Sequence, residues 1–284
     1  MASVGAMKFG LFGVNMRPCV TPEAIAAVAR AAESAGFESM WGGEHLALAD
    51  PQTPASPLPP RVEFVDLVAA IAFAGAHTRT LRFATGILLI TLRNPVILAK
   101  QAASLDALTG GRFMLGVGIG NLAFEFAAVG APFDHKGRRA EEAIAAMRAL
   151  WAGERAGFRG RWSSFAAVRA EPRPRARMPI VWGGKSTYAF DRAARSGDGW
   201  FGYALDLDAT QRCIEGLRAA CAKIGRPPGE IEISVTPKAE LDRDLARRYA
   251  DLGVARLVLP PRGRDSAEAL RAIAAAERQL IGRV

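Results

Sequence analysis

With 284 residues, half of them hydrophobic, the chain can bury a large core and has the length of an α/β barrel or a large sandwich. Its three cysteines, Cys19, Cys213 and Cys221, show neither CxxC nor Cys/His ligand spacing, which argues for free thiols and against a disulfide framework or a metal site. The net charge of +9 raises nucleic acid as a partner, but the basic residues are nearly all Arg dispersed among Glu and Asp, and the densest group, Arg169 to Arg177, is broken by Pro172 and Pro174, which argues against it.

The longest weakly polar stretch, Val65 to Ala76, is too short to cross a bilayer, and the N-terminus lacks the charged and apolar regions of a secretory signal. The expectation is a soluble cytoplasmic protein without a membrane partner. Met7 could equally be the start, since the residues before it carry little structural information.

Short β-branched or Leu-rich runs alternate with longer Ala-rich amphipathic ones, the pattern of repeated βα units around a parallel sheet. Strands are predicted at Lys8–Val14, Glu38–Trp41, Leu81–Leu89, Arg112–Val117, Ile180–Trp182, Gly199–Phe201, Ile231–Thr236 and Arg256–Leu259. Helices follow from near Pro22, Val62, Pro95, Gly137, Thr187, Leu207, Lys238 and Ser266, with Thr21, Asn94 and Asp206 as N-caps and Pro22 and Pro95 in first helical turns. Eight units predict a (β/α)8 TIM barrel, one domain over residues 1–284, because a doubly wound sheet would more naturally stop at five or six strands.

Two connections exceed what a minimal barrel needs. The Gly42 to Arg61 segment holds five of the 17 prolines and is predicted to be a semi-rigid loop over the C-terminal mouth. The Gly153 to Arg177 segment, with a Gly between the aromatic runs of Phe158-Arg-Gly-Arg-Trp-Ser-Ser-Phe165, reads as a hairpin or lid inserted between the fourth and fifth units.

The candidate site residues cluster at strand ends. After the fifth strand, Gly183-Gly184-Lys185-Ser186 opens a helix, and glycines there let the main chain approach a phosphate facing the unpaired N–H groups of the first turn. After the second strand stand Glu44 and His45. An imidazole titrates near neutrality and can give or take a proton, and adjacent positions send the two side chains in different directions, so they serve different purposes. His77 and His135 compete with His45, but His77 follows a helix that it would cap. Gly86 interrupts a strongly apolar strand, as at a bulge or a close ligand approach, and Gly118 and Gly120 would let a flat ring or a phosphate lie against the backbone. Asp106 and Arg112 read as a structural ion pair or cap.

Taken together, these residues resemble the luciferase-like monooxygenases, and within them the coenzyme F420-dependent oxidoreductases. The resemblance covers nearly the whole chain. It rests on Gly36-Phe-Glu-Ser-Met-Trp41 with Glu44-His45, on Arg93-Asn-Pro95, Leu105-Asp106 and Gly110-Gly-Arg112, and on Leu115-Gly-Val-Gly-Ile-Gly120 with Glu125-Phe126. It continues through Gly137-Arg138, Glu142, Leu150-Trp151, Gly183-Gly184 and Gly197-Asp-Gly-Trp200.

The resemblance implies a barrel holding F420, or alternatively FMN, across its mouth. It implies a non-prolyl cis peptide at Gly86-Ile87 behind the ring, with Gly118, Gly120, Asn121, Gly183, Gly184, Lys185 and Ser186 along the cofactor tail and phosphate. Glu44 would bond to the ring or its polar edge, and His45 would face a small-molecule substrate. The implied chemistry is hydride transfer between F420 and a C=C, C=N, C=O or alcohol group, with His45 handling the proton. Relatives that oxidise sugar phosphates carry an acidic residue where Asn121 stands, so the resemblance stops short of that substrate. The alternatives are an FMN-dependent monooxygenase served by a separate reductase and a non-catalytic flavin or deazaflavin binder. The family also implies a homodimer, for which the helices at Val62–Ala76 and Pro95–Leu108 offer apolar faces, although covering the barrel would account for the same faces.

Overall fold

Parallel strands too apolar to remain solvated close on themselves and are wrapped by Ala-rich helices. The computed structural model describes residues 6–153, 155–260 and 262–284. In chain order the first half contains β1 (Lys8–Phe12), α1 (Pro22–Ser34), β2 (Ser39–Gly42), α2 (Leu67–Ala76), β3 (Arg82–Thr85), β4 (Leu88–Leu89), α3 (Pro95–Leu108), β5 (Phe113–Gly118), α4 (Ala123–Ala128) and α5 (Lys136–Ala152). The second half contains β6 (Ala156–Arg159), β7 (Ser164–Val168), β8 (Ile180–Gly183), α6 (Thr187–Ser196), β9 (Gly199–Leu205), α7 (Leu207–Ala222), β10 (Glu232–Pro237), α8 (Arg243–Asp251), β11 (Arg256–Leu259) and α9 (Ser266–Gln279).

The main sheet runs β3-β2-β1-β11-β10-β9-β8-β5-β4, and a further β3–β5 pairing closes it. Because β3 and β4 both pair with β5, through Phe83↔Phe113 and Leu88↔Val117, they share one position, and the result is the expected (β/α)8 barrel. The inserted hairpin is β6–β7, antiparallel, with Phe158 and Phe165 stacked at 6.0 Å. Glu142 on α5 ties it down by accepting the N–H groups of Arg161, Trp162 and Ser163.

Inward-facing Phe12, Trp41, Ala84, Met114, Val181, Phe201 and Val258 fill the barrel. Its N-terminal end is plugged by Arg256, fully buried, which pairs with Glu38 at 2.8 Å and Glu232 at 2.6 Å. Burial alone would raise the Glu38 pKa, but the hydrogen bonds and charge of Arg256 outweigh it and bring the pKa down to about 2.

Local capping follows the sequence. Thr21, Asn94 and Asp206 accept N–H groups of the helices they precede, and Pro22 and Pro95 sit in first turns. Arg112 caps by donating to the carbonyls of Gly75, Thr78, Leu81 and Thr109, whereas Asp106 accepts the Arg175 N–H. His77 ends α2, with Arg30 at 3.3 Å from its Nδ1.

Three expectations need correction. The strand predicted at Leu81–Leu89 is broken, since the Gly86–Ile87 peptide is cis and separates β3 from β4. The second helix begins at Leu67 rather than near Val62, because Phe64 bridges to Met16, the Val65 N–H goes to the Asn15 carbonyl, and Asp66 is the N-cap. The helix placed near Lys238 begins at Arg243, since the Lys238 N–H bonds to the Leu205 carbonyl and Asp242 caps. The reading of the extreme N-terminus falls on residues 1–5, outside the described residues. Among the described residues no helix is long and apolar enough to cross a membrane.

Candidate active site

The C-terminal mouth is organised around the break in the third barrel strand. Trp41, Phe12 and Phe201 back Gly86, and Trp41 and Phe201 stack at 5.0 Å. Tyr203 continues this aromatic wall outward, 5.2 Å from Phe12 between ring centres, and is half exposed. The Ile87 side chain lies against Gly118 and Gly183, so that a Cβ on either glycine would collide with it. Four predicted residues, Gly86, Ile87, Gly118 and Gly183, thus meet at one place.

Glu44 is buried beside this place. Arg93 Nη1 donates to its Oε2 at 2.6 Å, Arg93 Nη2 donates to its Oε1, and the Leu89 N–H donates to Oε2 at 2.8 Å. Burial pushes the Glu44 carboxyl up, against the opposing pull of Arg93. Both oxygens are thus occupied by the chain's own donors, so Glu44 braces the turn after β4.

His45 turns the other way. Its Nδ1 lies 3.3 Å from Glu125 Oε2, and its ring meets the Phe64 ring edge-on at 5.7 Å. The His45 side chain is 21% exposed against 1% for Glu125, so only the imidazole is open to a solute. Asn15 fixes the base of this loop by donating to the carbonyls of Gly43 and Val65.

Gly120 adopts φ +66 and packs against Phe126, while Asn121 is exposed. His135, the other histidine near this end, stands at the N-cap position of α5 with φ 56 and without a side-chain capping bond, its ring 5.9 Å from that of Trp162. At the fifth position Gly184 has φ +114, a conformation that favours glycine, and its carbonyl accepts the Trp200 Nε1–H at 2.8 Å. Ser186 is the N-cap of α6, with its Oγ accepting the Ala189 N–H at 3.3 Å, so that hydroxyl already serves the helix. Lys185 opens onto a depression of about 500 Å³ that Arg212, Lys238 and Cys213 also line. Burial raises the Cys213 thiol pKa despite Lys185 and Arg212 nearby.

A separate apolar cavity of about 110 Å³ lies between the outer face of β1 and helices α1 and α9. It contains none of the candidate residues. Barrel enzymes carry their chemistry at the C-terminal mouth, the end at which the candidate residues lie.

The sequence did not disclose the partners. Glu125, Arg93 and Asn15 each act on a residue far away in the chain, and no local spacing links them to it. Glu125 and Arg93 stood within recognisable motifs, but without an assigned role.

The sequence profile of the luciferase-like monooxygenases matches residues 7–281. The chain belongs to the luciferase-like monooxygenase family. Among the proteins similar to it, an uncharacterised protein of Mycobacterium tuberculosis is 32% identical over 93% of the chain and 95% of its own length. The F420-dependent hydroxymycolic acid dehydrogenase of Mycobacterium tuberculosis is 31% identical, over 80% of the chain and 62% of its own length. Of solved structures, an F420-dependent secondary alcohol dehydrogenase in complex with an F420-acetone adduct superposes with TM-score 0.78 at 17% identity, covering 96% of this chain and 98% of that one. The monooxygenase RslO1 from Streptomyces bottropensis superposes with TM-score 0.75 at 22% identity, covering 97% and 99%. This luciferase-like barrel therefore has both F420-dependent and monooxygenase neighbours.

Proposed function

We propose that the chain is an oxidoreductase transferring a hydride between coenzyme F420 and a small organic substrate bearing a C=C, C=N, C=O or alcohol group. The observation that carries this reading is the pairing of His45 with buried Glu125 beside the glycine-lined, aromatic-backed turn at Gly86–Ile87. His45 gives or takes the substrate proton.

The donor set fits the cofactor. Gly86 and Ile87 would stand behind its ring, and Gly118, Gly120, Asn121 and Gly183 would line its path. Gly184, Lys185 and Ser186 would meet its phosphate, with Arg212 and Lys238 offering further positive charge to its acidic tail. When bound, F420 supplies or accepts the hydride, and the chain provides placement and proton handling. Glu44 acts from behind by holding Arg93 and the Leu89 N–H. Relatives named for F420 at 31% and 28% identity support this choice of cofactor. Asn121 can hydrogen-bond but cannot serve as an acid, which speaks against a sugar phosphate as substrate.

An FMN-dependent monooxygenase, fed by a separate reductase, is the second reading, favoured by the likeness to RslO1. The test is anaerobic oxidation of reduced F420 over a panel of ketones, imines and activated alkenes by the wild type and His45→Ala. Turnover that falls at least about a hundredfold in the variant, with F420 binding retained, supports the proposal. Oxygen consumption with reduced FMN and none with reduced F420 would replace it with the second reading.

We also propose a homodimer. Phe73 on α2 and Ile97 and Leu108 on α3 are exposed apolar side chains, and the expected mass from light scattering is twice that of the chain.

A further inference from the structure

We infer that Glu125 is a positioning residue that holds the His45 imidazole in its Nδ1–H form, leaving Nε2 as the atom that exchanges a proton with the substrate. The inference rests on the reading of His45 as the acid/base and assigns the atom through which it acts.

Glu125 presents its two oxygens to two different groups. Oε1 accepts the Leu46 N–H at 3.0 Å, and Oε2 faces His45 Nδ1 at 3.3 Å, towards the long end of such contacts. A carboxylate only accepts, so the ring nitrogen in front of it carries the hydrogen, and in the neutral imidazole the lone pair is then on Nε2. At 1% exposure the Glu125 side chain is closed to solvent, whereas His45 is partly open. Phe64, edge-on to the ring, offers no competing polar group. The Leu46 N–H bond has a second effect. It ties the residue after His45 to the same carboxylate, so backbone and imidazole are fixed to one anchor, and α4 thereby sets the orientation of a ring carried by the β2 loop.

Glu125→Gln and Glu125→Asp separate this role from simple packing. Glutamine keeps the shape of the side chain, and its amide oxygen still accepts the Leu46 N–H, but its NH2 group turns a donor towards Nδ1 and moves the ring hydrogen to Nε2. Aspartate changes the shape and remains an acceptor. A packing role predicts that Asp is the more damaging change, and the positioning role predicts Gln.

The experiment is 15N NMR of the imidazole rings in protein labelled at its three histidines, with the His45 signals assigned by their loss in His45→Ala. It is paired with F420 titration and single-turnover rates. The expected result is neutral His45 as Nδ1–H in the wild type and in Glu125→Asp, and as Nε2–H in Glu125→Gln. The turnover rate should fall roughly a hundredfold in Gln and less in Asp, with F420 affinity changed by less than about threefold in both. A wild-type ring in the Nε2–H form, or a Gln variant with unaltered tautomer or unaltered rate, would overturn the inference. Failure of the underlying reading has a different signature: His45→Ala would remain active while the wild-type ring was still Nδ1–H, which removes Nε2 from proton transfer.

Discussion

Arg93 grips the buried carboxylate of Glu44 with both terminal nitrogens, tying the residue that follows the second barrel strand to the turn that follows the break in the third. The side chains are 12% and 3% exposed, so the pair is shielded from solvent and each charge depends on the other. Removing one partner leaves an uncompensated buried charge. Arg93→Ala is expected to lose about 3–5 kcal/mol of stability, and Glu44→Gln distinctly less because the amide can still accept the Leu89 N–H. Urea unfolding of both variants checks the order. A loss confined to Arg93→Ala, with Glu44→Gln as stable as the wild type, would mean that the pair contributes packing rather than charge.

A methyl group on Gly118 has no room, because Ile87 occupies that space. Gly118→Ala is therefore expected to shift Ile87 and weaken F420 binding at least about tenfold while the circular dichroism stays near native. Gly229, where a Cβ would meet nothing within 4 Å, serves as the control, and Gly229→Ala should change stability by no more than about 0.5 kcal/mol. Native affinity in Gly118→Ala would separate Ile87 from the cofactor.

Positive charge around the depression beside α6 should appear in the salt dependence of cofactor binding. Lys185→Ala combined with Lys238→Ala is expected to weaken F420 at least about tenfold at low ionic strength and to flatten the fall of affinity with salt. Titrations at two salt concentrations test this. A slope identical to that of the wild type would place the anionic tail elsewhere.

The ion pairs at the closed end of the barrel predict acid sensitivity. Glu38, held down to about 2 from an unfolded value of 4.5, contributes stability that is fully present above the unfolded value and lost as pH falls through the folded one. A displacement of that size corresponds to about 3 kcal/mol. Thermal unfolding between pH 6 and pH 2 should show this decline, and Glu38→Gln should be less stable at pH 6 with a shallower fall. A parallel decline in both proteins would assign the acid sensitivity to other carboxylates.

What the sequence disclosed and what it hid have one physical origin. Strand and helix periodicity, and caps such as Thr21 and Asp206, are local signals written within a few residues, and the barrel could be read from them. Gly86 signalled a bulge or a close approach, but the cis peptide that breaks the strand at Gly86–Ile87 came into view only through family resemblance, because an apolar run with one glycine also fits a strand that merely bulges. The 62–66 segment reads as helix by composition, yet its backbone is bound to Asn15 and Met16 from another part of the chain. Site partners were hidden for the same reason: His45 and Glu125 are 80 residues apart, and Glu44 and Arg93 are 49 apart. Tertiary pairing over such distances leaves no periodic trace.

The central claim is the choice of cofactor, and a side-by-side titration of the purified protein with F420 and FMN, followed by fluorescence or heat, tests it most directly. The account predicts micromolar or tighter binding of F420, with FMN at least about tenfold weaker. Preference for FMN, or binding of neither, would contradict it.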